Sequence, residues 1–373
     1  MKLPKLKIGE RLLEIPIIQG GMGVGVSLAN LAGNVAKNGG LGVISSAQIG
    51  FKEEDFETNT YEANYRALEK NIKKAKKISN NNGMIGVNIM CVTTNYEEMV
   101  KKAASAGADI IISGAGLPKN LPELVKEYDT KIAPIVSSAR AANLICKLWT
   151  SKYDYIPDMI VVEGPKAGGH LGFNIEELNN EEIDIFNITS QVRDIVKQYE
   201  EKYNKHIPVI SAGGIFDGKD LVKALKNGAD GVQIATKFVT TKECDADIKF
   251  KEAYVKAKKE DVIIIKSPVG MPGRAIKNHF LENLKDYKLT KCFNCIKTCD
   301  RKTIPYCITQ ALINSVTGNI DNGLIFCGSN VDRIDKITDV KTVISELIKE
   351  ANELWVKRWI IMNYLNMVLK SLN

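Results

Sequence analysis

One histidine lies in a glycine-rich segment, residues 164–172, that directly follows an apolar run. The segment reads Gly-Pro-Lys-Ala-Gly-Gly-His-Leu-Gly, and its histidine is His170. The chain has two further histidines, His206 and His279, and neither has such a context. An imidazole titrates near neutral pH and can act as a general acid or base. We therefore predict that His170 is catalytic and that His206, which precedes a later strand, is structural.

Glycine-rich turns follow other apolar runs and suit the backbone contacts of a flat, phosphorylated ligand. Adjacent glycines let the backbone approach such a ligand closely. Loops after the last two strands of a barrel commonly bind phosphate. The chain has neither a Walker Lys-Ser/Thr motif nor GxGxxG, so the phosphate is expected to belong to a bound cofactor rather than ATP. The turns are Gln19–Gly23, Ser211–Ile215 and Gln233–Lys237.

Five of the eight cysteines lie in one C-terminal stretch. Four of them have the spacing C-x2-C-x3-C-x7-C, which is dense enough for zinc or an iron–sulfur cluster. The spacing does not match the usual iron–sulfur patterns and no histidine accompanies it, so free structural thiols are the favoured interpretation and a metal site the alternative. The four candidates are Cys292, Cys295, Cys299 and Cys307.

The elements that must position these residues alternate between short apolar runs and amphipathic stretches. Several runs lack a period of two, which is typical of strands buried on both faces. Eight strands, each followed by a helix, predict a TIM (β/α)8 barrel, and an open doubly wound sheet is the alternative. The predicted strands are Ile15–Gln19, Leu41–Ser45, Met84–Met90, Asp109–Ser113, Lys131–Ser137, Met159–Glu163, Ile207–Ser211 and Gly231–Ala235.

After the barrel the pattern changes. We predict two regions: a cofactor-binding barrel over residues 1–262 and a smaller, mainly helical, Cys-rich region over 263–373. The last segment, Leu354–Leu372, is apolar but carries Lys and Arg. It is expected to be a docking or oligomer helix, which leaves a homodimer open, rather than a membrane-surface helix.

Length and composition exclude several classes of protein. The chain has 373 residues, of which 45% are hydrophobic and 25% charged, so it is neither disordered nor a small disulfide-stapled protein. The net charge of +7 is too small to indicate nucleic-acid binding. The N-terminus has no secretory pattern, and no run of apolar residues is long enough to span a membrane, so a cytoplasmic location is expected.

Taken together, the motifs resemble the nitronate monooxygenase (2-nitropropane dioxygenase) family, which includes the flavin-dependent enoyl-acyl-carrier-protein reductases. The resemblance extends over about residues 10–280, in order. The matching segments are Pro16–Met22, Gly86–Met90, Ser113–Gly116, Glu163-Gly164 with Ala167–His170, Pro208–Ile215, Gly228–Gln233 and Gly273–Asn278.

The resemblance implies non-covalent FMN at the carboxyl end of the barrel, covered by the C-terminal region. It implies that the flavin ring and ribityl chain contact Gln19, Gly21, Met22, Asn88, Glu163 and Gly164. It places the remaining chain and the phosphate against Ala212, Gly213, Gly214, Gln233, Ala235 and Thr236. His170 matches the active-site histidine of the family.

Three functions remain open at this stage. The first is oxidation of alkyl nitronates with molecular oxygen, which we favour because residues 267–278 resemble monooxygenase-type members. The second is reduction of enoyl thioesters, with NAD(P)H as electron donor and acyl carrier protein as a partner. The third is a non-catalytic flavin and thiol redox sensor. The first two share fold and cofactor, so the fold alone does not choose between them.

Overall fold

The computed structural model describes residues 3–287 and 291–371, with side chains described up to residue 355 except at residue 286. The strands are β1 Leu6–Ile8, β2 Arg11–Leu13, β3 Ile17–Gln19, β4 Leu41–Ser45, β5 Met84–Met90, β6 Ile110–Gly114, β7 Lys131–Val136, β8 Ile160–Glu163, β9 Gly169–His170, β10 Val209–Ala212, β11 Gly231–Ile234, β12 Val262–Lys266 and β13 Pro272–Ile276. The helices are α1 Ala29–Lys37, α2 Thr60–Ser79, α3 Tyr96–Ser105, α4 Leu121–Val125, α5 Ala139–Tyr153, α6 Ile175–Leu178, α7 Ile185–Tyr203, α8 Gly218–Lys226, α9 Thr236–Val239, α10 Ile248–Lys256, α11 His279–Glu282, α12 Ile308–Val316 and α13 Val340–Ser371.

Eight parallel strands close into a barrel, which confirms the predicted TIM (β/α)8 fold. Their order around the barrel is β3-β4-β5-β6-β7-β8-β10-β11, and β11 pairs with β3 to close it. The strands are apolar on both faces because one face fills the barrel and the other packs against helices. In β6, for example, Ile110 and Ile112 belong to the inner core, whereas Ile111 belongs to the layer between strands and helices.

A short N-terminal hairpin, which the sequence did not predict, closes the lower end of the barrel. Strands β1 and β2 pair in antiparallel fashion. Their side chains Leu6, Ile8 and Leu13 are buried in the same cluster as Ile18 and Leu41 of the barrel. The amino end of the barrel is therefore filled with side chains, as in other barrels of this type, and functional groups belong at the carboxyl end.

The C-terminal region begins with strands rather than helices, which modifies the expectation of a mainly helical region. Strands β12 and β13 form an antiparallel pair, and β13 also pairs with β9, in the loop after β8. The region thus starts as a sheet built on a barrel loop. The proposed boundary at residue 262 stays a prediction.

The end of the chain returns to the barrel. Helix α13 packs against α8 and α1. The backbone N–H of Gly218, in the first turn of α8, donates a hydrogen bond to Glu350 Oε2 at 2.9 Å. A side chain at Gly218 would collide with the backbone of Ala351, so glycine permits this close packing.

The terminal segment predicted to dock or to form an oligomer, Leu354–Leu372, lies mostly outside the described side chains, and the homodimer stays a prediction. In the part of the chain that the structure describes, no helix has the length and apolar character needed to cross a membrane.

Candidate active site

A cavity of about 470 Å³ opens at the carboxyl ends of the barrel strands, beneath residues of the C-terminal region. Most residues predicted to bind the cofactor, together with the predicted catalytic histidine, line this one cavity. These are Gly21, Met22, Asn88, Glu163, His170, Ala212, Gly213, Gly214, Gln233, Ala235 and Thr236. The tertiary structure therefore brings together residues from five separate segments of the sequence.

Two residues predicted to bind the cofactor, Gln19 and Gly164, lie behind the cavity wall. The Gln19 amide accepts a hydrogen bond from the backbone N–H of Val43 and donates one to its carbonyl, both at 3.1 Å. It also donates to the Gly20 carbonyl. Gln19 is fully buried, and its amide joins the end of β3 to the middle of β4. The structure thus gives Gln19 a positioning role beside the first glycine turn.

The turn after β10 requires glycine at positions 213 and 214. Gly213 and Gly214 have φ of +83° and +107°, which side-chain-bearing residues rarely adopt. A Cβ on Gly213 would lie 2.7 Å from the carbonyl oxygen of Gly164, and one on Gly214 would lie 2.9 Å from Cβ of Lys166. Gly164 therefore supports the turn from behind, and the turn presents bare backbone to the cavity.

One corner of the cavity, beside the turn after β10, also contains residues of the C-terminal region. The sequence analysis did not identify these residues. Gly328, Ser329 and Asn330 all line the cavity. Asn330 Nδ2 donates to the carbonyl of Gly214 at 3.0 Å, and the N–H of Ser329 donates to the carbonyl of Lys166 at 3.2 Å. Ser329 Oγ is buried and, among the described residues, has no hydrogen-bond partner. A buried hydroxyl of this kind normally has a partner, and a ligand oxygen would supply one.

Asn88 stands where the first glycine turn meets β5. Its Nδ2 donates to the carbonyl of Ile112 on the neighbouring strand at 3.2 Å. A Cβ on Gly21 would collide with the Asn88 side chain, so this glycine lets the turn pack directly on the amide. The two residues together form one continuous part of the cavity wall, in which the Asn88 amide is the polar side-chain group.

The His170 ring is held by two groups from the C-terminal region. Nε2 lies 2.7 Å from Ser267 Oγ. The ring packs edge-on against Phe326 at a centroid distance of 5.0 Å. Burial lowers the pKa of His170 to about 4, because a charged imidazole loses hydration there. The side chain is therefore neutral at physiological pH.

Arg274 fixes the loop that carries His170. Its Nη1 donates to the carbonyl of Ala167, three residues before the histidine. Its backbone pairs with Gly169 in the β9–β13 ladder. Arg274 is itself buried, so this contact partly compensates the lost hydration of its guanidinium group. The sequence contained this residue among the family motifs but gave no sign of its partner.

Glu163 ends β8 and faces the cavity, and its carboxyl group is enclosed by protein. Burial raises its pKa from 4.5 to about 7. The cause is loss of hydration of the carboxylate without a compensating cation. The cavity thus contains two titratable groups, Glu163 and His170, that burial shifts in opposite directions, each toward its neutral form.

The four candidate metal-binding cysteines line a second, smaller cavity. All eight cysteines are free thiols. In the portion of the chain that is described, no group of three or more His, Cys, Asp or Glu side chains is placed so that it could hold a metal ion. His206 lies at the opposite end of the barrel, where its ring contacts Glu200 at 2.6 Å and Asp230 at 3.0 Å.

A (β/α)8 barrel with a glycine-lined cavity and an imidazole at its carboxyl end has the architecture of a cofactor-binding barrel enzyme. Comparison with known proteins identifies the family. The nitronate monooxygenase family model matches residues 5–350. This chain therefore belongs to the nitronate monooxygenase family and is a flavin-dependent oxidoreductase.

Individual relatives agree with this assignment. A probable nitronate monooxygenase of Staphylococcus aureus (strain Newman) is 27% identical over 292 residues, which cover 74% of this chain and 79% of that protein. The structure of FabK from Thermotoga maritima matches with a TM-score of 0.69 and 26% identity, covering 94% of this chain and 96% of that one. A nitroalkane oxidase from Streptomyces ansochromogenes, 18% identical, matches with a TM-score of 0.67 over 92% of this chain and 98% of that one and supports the fold alone.

Proposed function

We propose that the flavin is FMN and that it binds in the large cavity. Three features of the chain fit a flavin mononucleotide. The turn at Gly213 and Gly214 exposes backbone that a phosphate can approach, and the unpartnered Ser329 hydroxyl lies in the same corner. The Gly21 backbone and the Asn88 amide lie together in the cavity wall and suit a flat ring with donors and acceptors along its edge.

In this proposal the phosphate is held by Gly213, Gly214, Thr236 and Ser329, from both the barrel and the C-terminal region. The ring contacts Gly21, Met22, Asn88 and Glu163. Gln19 and Gly164 act from behind the wall and keep these contacts in place.

We further propose that the chain oxidises alkyl nitronates with molecular oxygen. The observation that carries this proposal is the match of the nitronate monooxygenase family model to nearly the whole chain, together with the curated relative of that name. Bound FMN supplies the electron-accepting group. The same comparisons give no support to a non-catalytic sensor.

The residues of the chain have distinct roles in this reaction. His170 is neutral and held by Ser267, so it offers a hydrogen bond to the nitronate oxygens without needing a charge. Glu163 is protonated in a large share of molecules near pH 7, which reduces its repulsion of an anionic substrate. The loop of β9, fixed by Arg274, sets the position of the imidazole in the cavity.

Enoyl-thioester reduction is the second candidate, and the apolar part of the cavity favours it. Met90, Met99, Leu117 and Leu312 all line the cavity, and such side chains suit an acyl chain. The likeness to FabK from Thermotoga maritima covers nearly the whole chain. This alternative requires NAD(P)H as electron donor and acyl carrier protein or a related thioester as partner.

An anaerobic absorbance titration of FMN-loaded protein separates the two candidates. We expect an alkyl nitronate alone to bleach the flavin and air to restore its colour. Rapid bleaching by NADH or NADPH, with none by nitronate, would replace the first proposal with the reductase. Bleaching by neither class of donor would contradict both. His170→Ala serves as the comparison variant, because it should bind FMN and respond weakly to nitronate.

A further inference from the structure

Lys166 is the one lysine or arginine among the described residues that line the large cavity. It lies in the loop after β8, between Glu163 and His170, and its side chain is exposed. A phosphate monoester carries close to two negative charges at neutral pH. A cavity that receives such a group therefore has a single cation available to it from its own described wall.

The Lys166 side chain follows the glycine turn after β10. A Cβ on Gly214 would lie 2.9 Å from Lys166 Cβ, 3.7 Å from its Cγ and 3.4 Å from its Cδ. Three consecutive carbons of the side chain thus lie along the backbone that the turn exposes. The Lys166 carbonyl accepts the hydrogen bond of the Ser329 N–H at 3.2 Å. The residue therefore contacts both the barrel part and the C-terminal part of the proposed phosphate site.

The Lys166 ammonium group is not used within the protein. Among the described residues, its Nζ forms neither an ion pair nor a hydrogen bond. Glu163 lines the same cavity, but its pKa is raised by burial and no cation opposes this shift. The positive charge of Lys166 is therefore left without an internal counter-charge.

Two further cations near this corner of the cavity already have partners. Both lie over the ring of Phe216, which lines the cavity, with Lys237 Nζ at 4.6 Å and the guanidinium carbon of Arg333 at 4.1 Å from its centroid. Arg333 also pairs with Asp217 at 2.7 Å. Lys166 is thus the cation in this part of the described chain that remains available to a ligand.

From these observations we propose that the Lys166 ammonium group pairs with the FMN phosphate and makes the cavity selective for FMN over riboflavin. The inference rests on the proposed binding of FMN. It assigns a charge that the glycine turns cannot supply, because backbone N–H groups carry no net charge. Lysine binds phosphate as a point charge on a flexible stem. Because Lys166 is exposed, solvent and salt screen this pair, so its contribution depends on ionic strength.

The test compares the dissociation constants of FMN and riboflavin for the FMN-free full chain, measured by flavin fluorescence at low and high salt. Lys166→Gln is the first variant, because glutamine retains the Cβ, Cγ and Cδ that lie along Gly214 and removes the charge. We expect the dissociation constant of FMN to rise about fivefold at an ionic strength of about 0.01 M and to change little at about 1 M. The dissociation constant of riboflavin should not change at either salt concentration. Lys166→Arg retains the charge and should bind FMN as the wild type does.

Lys226→Gln is the matched control, because it removes the same charge from the exposed last turn of α8. It should bind both flavins as the wild type does, and an equal loss of FMN affinity would overturn the inference. Unchanged FMN affinity of Lys166→Gln at low salt would also overturn it, as would equal weakening of FMN and riboflavin or an effect that persists at high salt.

The same measurements separate this inference from the proposed function. A wild type that binds FMN but does not oxidise nitronates would contradict the proposed reaction and leave the affinities readable. A wild type that binds no FMN would contradict the proposed cofactor and this inference together.

Discussion

At the scale of single residues, the cavity contains a carboxyl group and an imidazole, and burial shifts the pKa of each toward its neutral form. Burial raises the pKa of Glu163 to about 7 and lowers that of His170 to about 4. Both shifts have the same cause, loss of hydration of the charged form. Such pairs of shifted groups are concentrated at functional sites.

We predict that His170→Ala lowers kcat for nitronate oxidation about 100-fold or more, the lower range for loss of one hydrogen-bond donor to a developing charge. FMN affinity should change little, because the imidazole is held by Ser267 and Phe326 rather than by the glycine turns. Steady-state kinetics and FMN titration measure the two effects. His206→Gln, at the opposite end of the barrel, is the control and should keep its turnover; a His170→Ala variant within threefold of wild type would contradict the assignment.

We predict that Glu163→Gln stabilises the FMN-free protein at pH 8 and has little effect at pH 5. The folded protein holds the Glu163 proton up to a pKa of about 7, whereas the unfolded chain releases it near 4.5. The folded state therefore binds more protons between these values, and stability falls as the pH rises through them. Thermal unfolding at both pH values tests this, with the exposed Glu54→Gln as control. An equal effect of Glu163→Gln at pH 5 and pH 8 would refute the explanation.

At the scale of elements, the site depends on turns whose backbone lies in the left-handed region. The turn after β10 has this conformation at Gly213 and Gly214, against Lys166 and Gly164. The barrel strands fix where the turn begins, and the glycines let it fold back toward the cavity. Replacing these glycines should therefore affect the cofactor more than the barrel.

We predict that Gly214→Ala raises the FMN dissociation constant at least about tenfold, equivalent to about 1.4 kcal/mol. Its Cβ would lie 2.9 Å from Lys166 Cβ at a φ of +107°. Gly270→Ala is the matched control, because Gly270 has a φ of +83° but nothing within 4 Å of its Cβ position. Fluorescence titration of FMN measures both. Equal weakening of FMN binding in the two variants would show that backbone strain alone is responsible, rather than the loss of close contact at the turn after β10.

At the scale of the whole molecule, the C-terminal region completes a site that the barrel begins. It contributes Ser329 to the proposed phosphate site, and Ser267 and Phe326 contact the His170 ring. Strand β13 joins this region to the loop of β9. A ligand that contacts both parts stabilises their association, because it binds only the folded arrangement.

We predict that FMN slows amide hydrogen exchange in residues 326–330 and 213–216, on the two sides of the phosphate corner. Exchange in residues 200–206, at the far end of the barrel, should not change and serves as the internal control. Ser329→Ala should reduce the protection, since it removes the hydroxyl that has no partner among the described residues. Protection confined to the barrel turn would show that the C-terminal region does not contact the cofactor.

The sequence by itself determined the barrel, because each buried strand can be recognised from the apolar composition of a few neighbouring residues. Leu41–Ser45 and Met84–Met90 were predicted with the bounds that the structure gives. The glycine turns were likewise visible, since a left-handed backbone requires particular residue types. These properties belong to neighbouring residues and need no knowledge of the fold.

Only the tertiary structure decided which residues meet. His170 and Ser267 are 97 positions apart, and no periodicity in either segment indicates that they touch. Gln19 lies in a glycine turn and was predicted to contact the cofactor, yet its amide forms hydrogen bonds with Val43 behind the cavity wall. Cys292, Cys295, Cys299 and Cys307 are close in sequence, but only the folded loop shows that they line one small cavity beside the proposed FMN site. Contacts between distant segments depend on packing, and packing is a property of the whole chain.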